Sequence, residues 1–108
     1  YSNFHLLFLL KLTRYLGFQP EQQEQKSDFF NLQSGVFENI DNGIYSISGT
    51  NLRLLKLLLG TTFDALSAVK VKTEQRQSFL NVLLFYFELH LDGFKKPKSL
   101  KVFNDVFH

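Results

Sequence analysis

TEQRQSFLNVLLFYFELHL, residues 73–91, carries no Gly and no Pro and enough apolar side chains to make a core by itself. At about 100° per residue, Glu74, Gln77, Ser78, Asn81, Glu88 and Asp92 fall on one narrow stripe, interrupted by Phe85. Phe79, Leu80, Val82, Leu83, Leu84, Tyr86, Phe87, Leu89 and Leu91 cover the other faces. A helix so apolar around its circumference must be packed on several sides. Thr73 is the expected N-cap, Glu74 suits the positive end of the helix dipole, and Gly93 supplies a left-handed stop. A membrane span needs about 20 predominantly apolar residues, and Asn81, Glu88 and His90 interrupt this run. The stretch reads as the central helix of a small soluble domain.

Length and composition set the limits around it. At 108 residues and 44% hydrophobic, the chain suffices for one domain with a packed core, which excludes disorder of the whole. The net charge of +2 is mild, so a nucleic-acid role requires the basic residues to be clustered. The absence of Cys excludes a disulfide framework, a thiol nucleophile and a Cys-ligated zinc. The chain starts at Tyr1 and enters an apolar helical pattern within three residues, without the n-region or cleavage site of a signal peptide. A preceding N-terminal portion is therefore expected.

Residues 4–16 form the first expected helix, with Phe4, Leu6, Leu7, Phe8, Leu9, Leu10, Leu12, Tyr15 and Leu16 apolar and His5, Lys11, Thr13 and Arg14 polar. Gly17 stops it in the left-handed position, Phe18 folds back on Leu12, and Pro20 prevents continuation. EQQEQKSD, residues 21–28, has no apolar side chain to anchor it and reads as an exposed loop. Residues 29–32 and 36–40 then read as short strands joined through Gln33, Ser34 and a left-handed Gly35. Asn42 and Gly43 suit a type I′ turn, which would pair residues 44–47 back onto 36–40. Three such strands are marginal alone and should lean on the helices.

Ser48, Gly49 and Thr50 offer caps for a helix over residues 51–59, with Arg53 and Lys56 on its exposed face and Gly60 at its end. Residues 63–69 read as a short helix or turn with Phe63, Leu66 and Val69 inward. After the central helix, Lys95, Lys96 and Pro97 make a basic joint into a last helix over residues 98–107. The fold expected is mainly α: four to five helices with a small antiparallel β insert.

No catalytic constellation emerges. His5, His90 and His108 are far apart, and the acidic residues form no paired site on an apolar helix face. The glycines stand singly in turns, so no phosphate loop is present. No enzyme activity, metal or cofactor is expected. The basic residues do cluster: Lys95, Lys96, Lys98 and Lys101 near the end, and Lys70, Lys72 and Arg76 around the start of the central helix. Such clusters serve either as a solvated surface or as a seat for an anion, a nucleic-acid backbone or an acidic peptide. Little aromatic interleaving surrounds the terminal lysines, which favours the peptide slightly.

Three segments carry a resemblance: FHLLFLLKLTRYLGFQP (4–20), FFNLQSGVF (29–37) and HLDGFKKPKSLKVF (90–103). In order and spacing they resemble the C-terminal helical domain of the bacterial recombination mediator family RecO, in its Bacteroidetes-like form. Many members of that family carry zinc-ligating cysteines after the first helix and around the strand pair. Residues 21–28 and 39–42 stand there in this chain, so the resemblance comes without zinc. The family's N-terminal OB-fold has no counterpart here.

The resemblance implies a non-enzymatic, cytoplasmic, nucleoid-associated role in DNA repair and recombination. Its implied partners are the acidic, Phe-ended C-terminal tail of single-stranded-DNA-binding protein, the protein RecR, and DNA, the last mainly through the OB-fold; no membrane is implied. A tail site requires an apolar seat for the ring and cations for the carboxylates. Arg76 beside Phe79 and Leu80 is the first candidate, because a guanidinium pairs bidentately with a carboxylate. Lys11 and Arg14 are the second, and Lys95, Lys96, Lys98 and Lys101 are candidate DNA or anion contacts. Without the resemblance, the same residues describe a helical protein-interaction or oligomerisation domain. Direct nucleic-acid binding by this domain is a third reading, marked by steep salt dependence.

Overall fold

The central helix forms over Thr73–His90 (α3), flanked by Asn3–Leu16 (α1) and Gly49–Leu59 (α2), in a computed structural model that describes residues 2–21 and 26–91. Between α1 and α2 lie three short strands, Phe29–Asn31 (β1), Val36–Glu38 (β2) and Ser46–Ile47 (β3). The architecture is a mixed helix and sheet fold. Among the described residues it has three α-helices, not the four to five expected. The expected helix over 98–107 and the Gly93 stop lie outside the described residues. Residues 63–69 form turns and a 3-10 segment, Leu66–Ala68, too short for an α-helix.

α3 is packed from several sides, as its composition requires: it lies against both α1 and α2. Phe79, Leu80, Leu83, Leu84, Tyr86 and Phe87 are buried, and Glu74, Gln77, Ser78 and Asn81 keep the polar stripe in solvent. Burying side chains of this size contributes roughly 1.5–3 kcal/mol each before chain entropy is counted. The helix starts one residue earlier than its expected cap: Lys72 is the N-cap and Thr73 is the first helical residue. The Thr73 hydroxyl instead accepts from the Arg76 guanidinium at 3.3 Å.

α1 contributes Leu6, Leu7, Leu9, Leu10 and Thr13 to the interior. Thr13 is buried without cost in unpaired groups, since its hydroxyl donates to the Leu10 carbonyl at 2.6 Å. Gly17 adopts the left-handed stop at φ 90°, and the Phe18 N–H closes the cap on the Thr13 carbonyl at 3.0 Å. Phe18 then packs edge-on against Phe87 and Tyr86 and stacks on His90. Tyr86 donates its hydroxyl to the Phe18 carbonyl, and His90 Nε2 lies 2.7 Å from the Leu32 carbonyl. The end of α3 thus holds both the exit of α1 and the sheet. Burial of Tyr86 pushes its phenol up to about 12.

The sheet differs from the expected meander. β1 is central, pairing antiparallel with β2 on one side and with β3 on the other, in the order β2-β1-β3. Phe30 opposes Phe37 across one ladder and Ile47 across the other. The reason lies at Asn42 and Gly43, which do not make a tight hairpin. Asn42 has φ −102°, outside the left-handed region a type I′ turn needs, and Gly43–Tyr45 winds into a 3-10 turn. Bonds from the Gly43 N–H to Asp41 Oδ1 and from the Asn42 N–H to Ser46 Oγ hold that turn. The wider connection carries the chain across to the far edge of β1.

The polar segment before β1 is anchored where it is described. Glu21 accepts the Phe37 N–H at 2.9 Å, and the buried Ser27 offers its carbonyl to Lys56 Nζ at 2.8 Å. Lys56 is consequently drawn inward, while Arg53 stays exposed.

Candidate functional site

The apolar positions of α1 form two stripes. Leu6, Leu7, Leu9, Leu10 and Thr13 face the core, whereas Phe4, Phe8, Lys11 and Tyr15 recur at helical spacing on the other side. One core cannot cover both, so the second stripe meets solvent: Phe4 is 52% exposed. Phe63, expected inward, is 43% exposed and sits against the same stripe. Its ring centroid lies 5.3 Å from that of Phe4, and Phe4 stacks on Phe8 at 6.4 Å. Lys11 Nζ stands 5.9 Å from the Phe63 centroid, in cation–π range.

The result is an aromatic face with one ammonium set into it. Arg14, one turn further along α1, is exposed and extends the positive edge. Such a face offers what an aromatic ring next to a carboxylate needs. The sequence pointed to Lys11 and Arg14, but it gave no sign that Phe63 would join them. The available signal was the width of the apolar arc on α1, which exceeds what a single contact face requires.

The other expected tail site is not assembled. Phe79 is 0% and Leu80 2% exposed, so neither can form a surface seat beside Arg76. They are core residues of α3. Arg76 itself is half-buried and lines a cleft of about 490 Å³ with Asn3, Val69, Lys70, Val71 and Lys72. Lys95, Lys96, Lys98 and Lys101 lie outside the described residues.

Likeness to known proteins places the chain. A family model described as Recombination protein O C terminal matches residues 1–101. The chain belongs to that family. A DNA repair protein RecO from Christiangramia forsetii is 54% identical over 98% of this chain and 44% of its own length. Proteins of the same name from Flavobacterium psychrophilum and Flavobacterium johnsoniae are 40% and 41% identical, again over 98% of this chain and 44% of theirs. The chain therefore spans less than half the length of these relatives. No solved structure matches.

In the insert, hydrogen bonds between neutral amides and one carboxylate link the strands and their connections. Glu38 accepts from the side-chain amides of Asn31 and Asn42, and Asn39 Oδ1 accepts the Asp28 N–H at 3.0 Å. This donor set does not fit zinc, which takes thiolate and imidazole ligands in structural sites. Among the described residues, no three of His, Cys, Asp and Glu gather closely enough to hold a metal. Nor, among them, is any helix long and apolar enough to cross a membrane.

Proposed function

We propose that this domain is a non-enzymatic docking module in DNA repair, which takes the acidic, Phe-ended tail of single-stranded-DNA-binding protein on the outer face of α1. The observation that carries the reading is Lys11 Nζ standing 5.9 Å from the Phe63 ring beside a solvent-open Phe4. In the docked state the terminal ring packs against Phe4 and Phe63, the terminal carboxylate pairs with Lys11, and upstream acids meet Arg14. Each element is weak alone: a cation–π contact at an exposed site is worth about 0.5–1 kcal/mol. The specificity comes from requiring ring and carboxylate together. Family membership supports the repair context, through relatives named DNA repair protein RecO. Within a full-length protein, such docking would deliver the OB-fold to coated DNA, to anneal it and, with RecR, to load recombinase.

Fluorescence anisotropy tests this. A labelled tail peptide is titrated with the chain, beside a peptide lacking only the terminal Phe. Saturable binding that requires the Phe is expected; equal binding of both peptides, or of neither, refutes the reading.

A further inference from the structure

A groove of about 330 Å³ runs between the sheet and α3 and shares no lining residue with the aromatic face of α1. Leu32, Ile44 and Ile47 line it from the sheet, Val82 and Phe85 from the helix, and Ser78 and Asn81 add polar groups. Ile44 is 76% exposed, and Val82 and Phe85 are only half-buried. Tyr45 stacks on Phe85 with ring centroids 6.1 Å apart, which sets the turn before β3 against the helix. Among the described residues the groove is apolar and open.

One turn beyond Phe85, on the same stripe of α3, stands Glu88. Its Oε2 is buried and accepts no hydrogen bond among the described residues. A carboxylate in the last turn of a helix also meets the negative end of the helix dipole. Glu88 therefore calls for a cation, and it does so beside an apolar groove.

The chain that follows α3 has the matching pattern. Residues 98–107, KSLKVFNDVF, lie outside the described residues, and the pattern is that of their sequence. At about 100° per residue, Leu100, Val102, Phe103, Val106 and Phe107 gather on one half of the circumference, with Lys98 at the border of that half. The joint over residues 92–97 can span up to about 20 Å. Phe85 lies only about 9 Å back along the helix axis from Leu91. The reach suffices, and the tether lets even a weak contact form.

We propose that residues 98–107 seat their apolar half in the groove between β3 and α3, with Lys98 paired to Glu88. Filled in this way, the groove is closed to other partners, and the outer face of α1 stays the open apolar surface of the domain. The inference uses no residue of the tail site and stands without it. A second copy of the chain carries the same segment, so the test separates a seat within one chain from an exchange between two.

Phe103 is exchanged for photoreactive p-benzoylphenylalanine in the full 108-residue chain, which is irradiated at low concentration and mapped by mass spectrometry. Cross-links within one chain are expected at Ile44, Ile47, Val82 or Phe85. Leu100→Ser is expected to cut their yield about fivefold through lost apolar burial. Glu88→Gln is expected to cut it about twofold at low salt. Circular dichroism checks that the helices persist in both variants. Cross-links to Phe4, Phe8 or Phe63, links between two chains, or none at all would overturn the proposal. So would a yield that Leu100→Ser leaves unchanged.

Discussion

Lys11 and Phe63, 52 residues apart in the chain, meet with the Lys11 ammonium 5.9 Å from the ring centroid. The contact brings the loop after α2 to the outer face of α1. It also gives the aromatic face its one inset charge.

Replacing Lys11 by Gln keeps the aliphatic contact and removes the charge. Tail-peptide affinity is expected to fall about three- to tenfold, in line with losing the charged partner of the terminal carboxylate. The melting temperature should fall by about 2–5 °C, because the contact with Phe63 lies within the fold. Titration and thermal melts of the same preparation check both.

Tyr86 predicts an alkaline limit to stability. Its phenol is raised from 10.0 to about 12 by burial, so the fold favours the protonated form. That contribution is present in full below pH 10 and is lost as the pH rises from 10 towards 12, because the unfolded chain releases the proton first. The loss amounts to about 2–3 kcal/mol. Tyr86→Phe should abolish this alkaline decline while costing about 1–2 kcal/mol at neutral pH, since the Phe18 carbonyl loses its donor. Urea melts of both proteins from pH 8 to 12 measure the difference.

Gly35 is predicted to resist substitution for two reasons that add. It lies at φ +75°, and a Cβ there would stand 3.2 Å from the Tyr86 hydroxyl. Gly35→Ala should destabilise by about 1–3 kcal/mol through backbone strain and displacement of that hydroxyl. The same change in the Tyr86→Phe background should cost less, and a double-mutant cycle in urea reads the coupling.

What the sequence made legible follows from periodicity. The central helix and the α1 stop at Gly17 were readable because apolar spacing and the Gly-then-Pro signal act within a few residues. Gly35 was likewise readable as the left-handed residue between two strands. The strand order was not, because Asn42 and Gly43 carry the composition of a tight turn while their surroundings favour a 3-10 turn. That choice depends on Ser46 and Asp41 as local acceptors and on Phe30 pairing with Ile47, which is a tertiary preference. At the candidate site, Lys11 and Arg14 could be named from helix spacing, whereas Phe63 could not. Its place beside Phe4 follows from the path of the loop after α2. Phe79 and Leu80 misled for the opposite reason: three and four residues from Arg76 they share its side of α3, yet both are enclosed by the core while Arg76 stays half-buried at its edge.

The most direct measurement is amide chemical-shift mapping of the isotope-labelled chain with unlabelled tail peptide added stepwise. The account predicts saturable shifts that concentrate at Phe4, Phe8, Lys11 and Phe63, with little change at Lys70, Lys72 and Arg76. Shifts concentrated at Lys70–Arg76, or at the Ile44 and Phe85 groove beside the sheet, would contradict it.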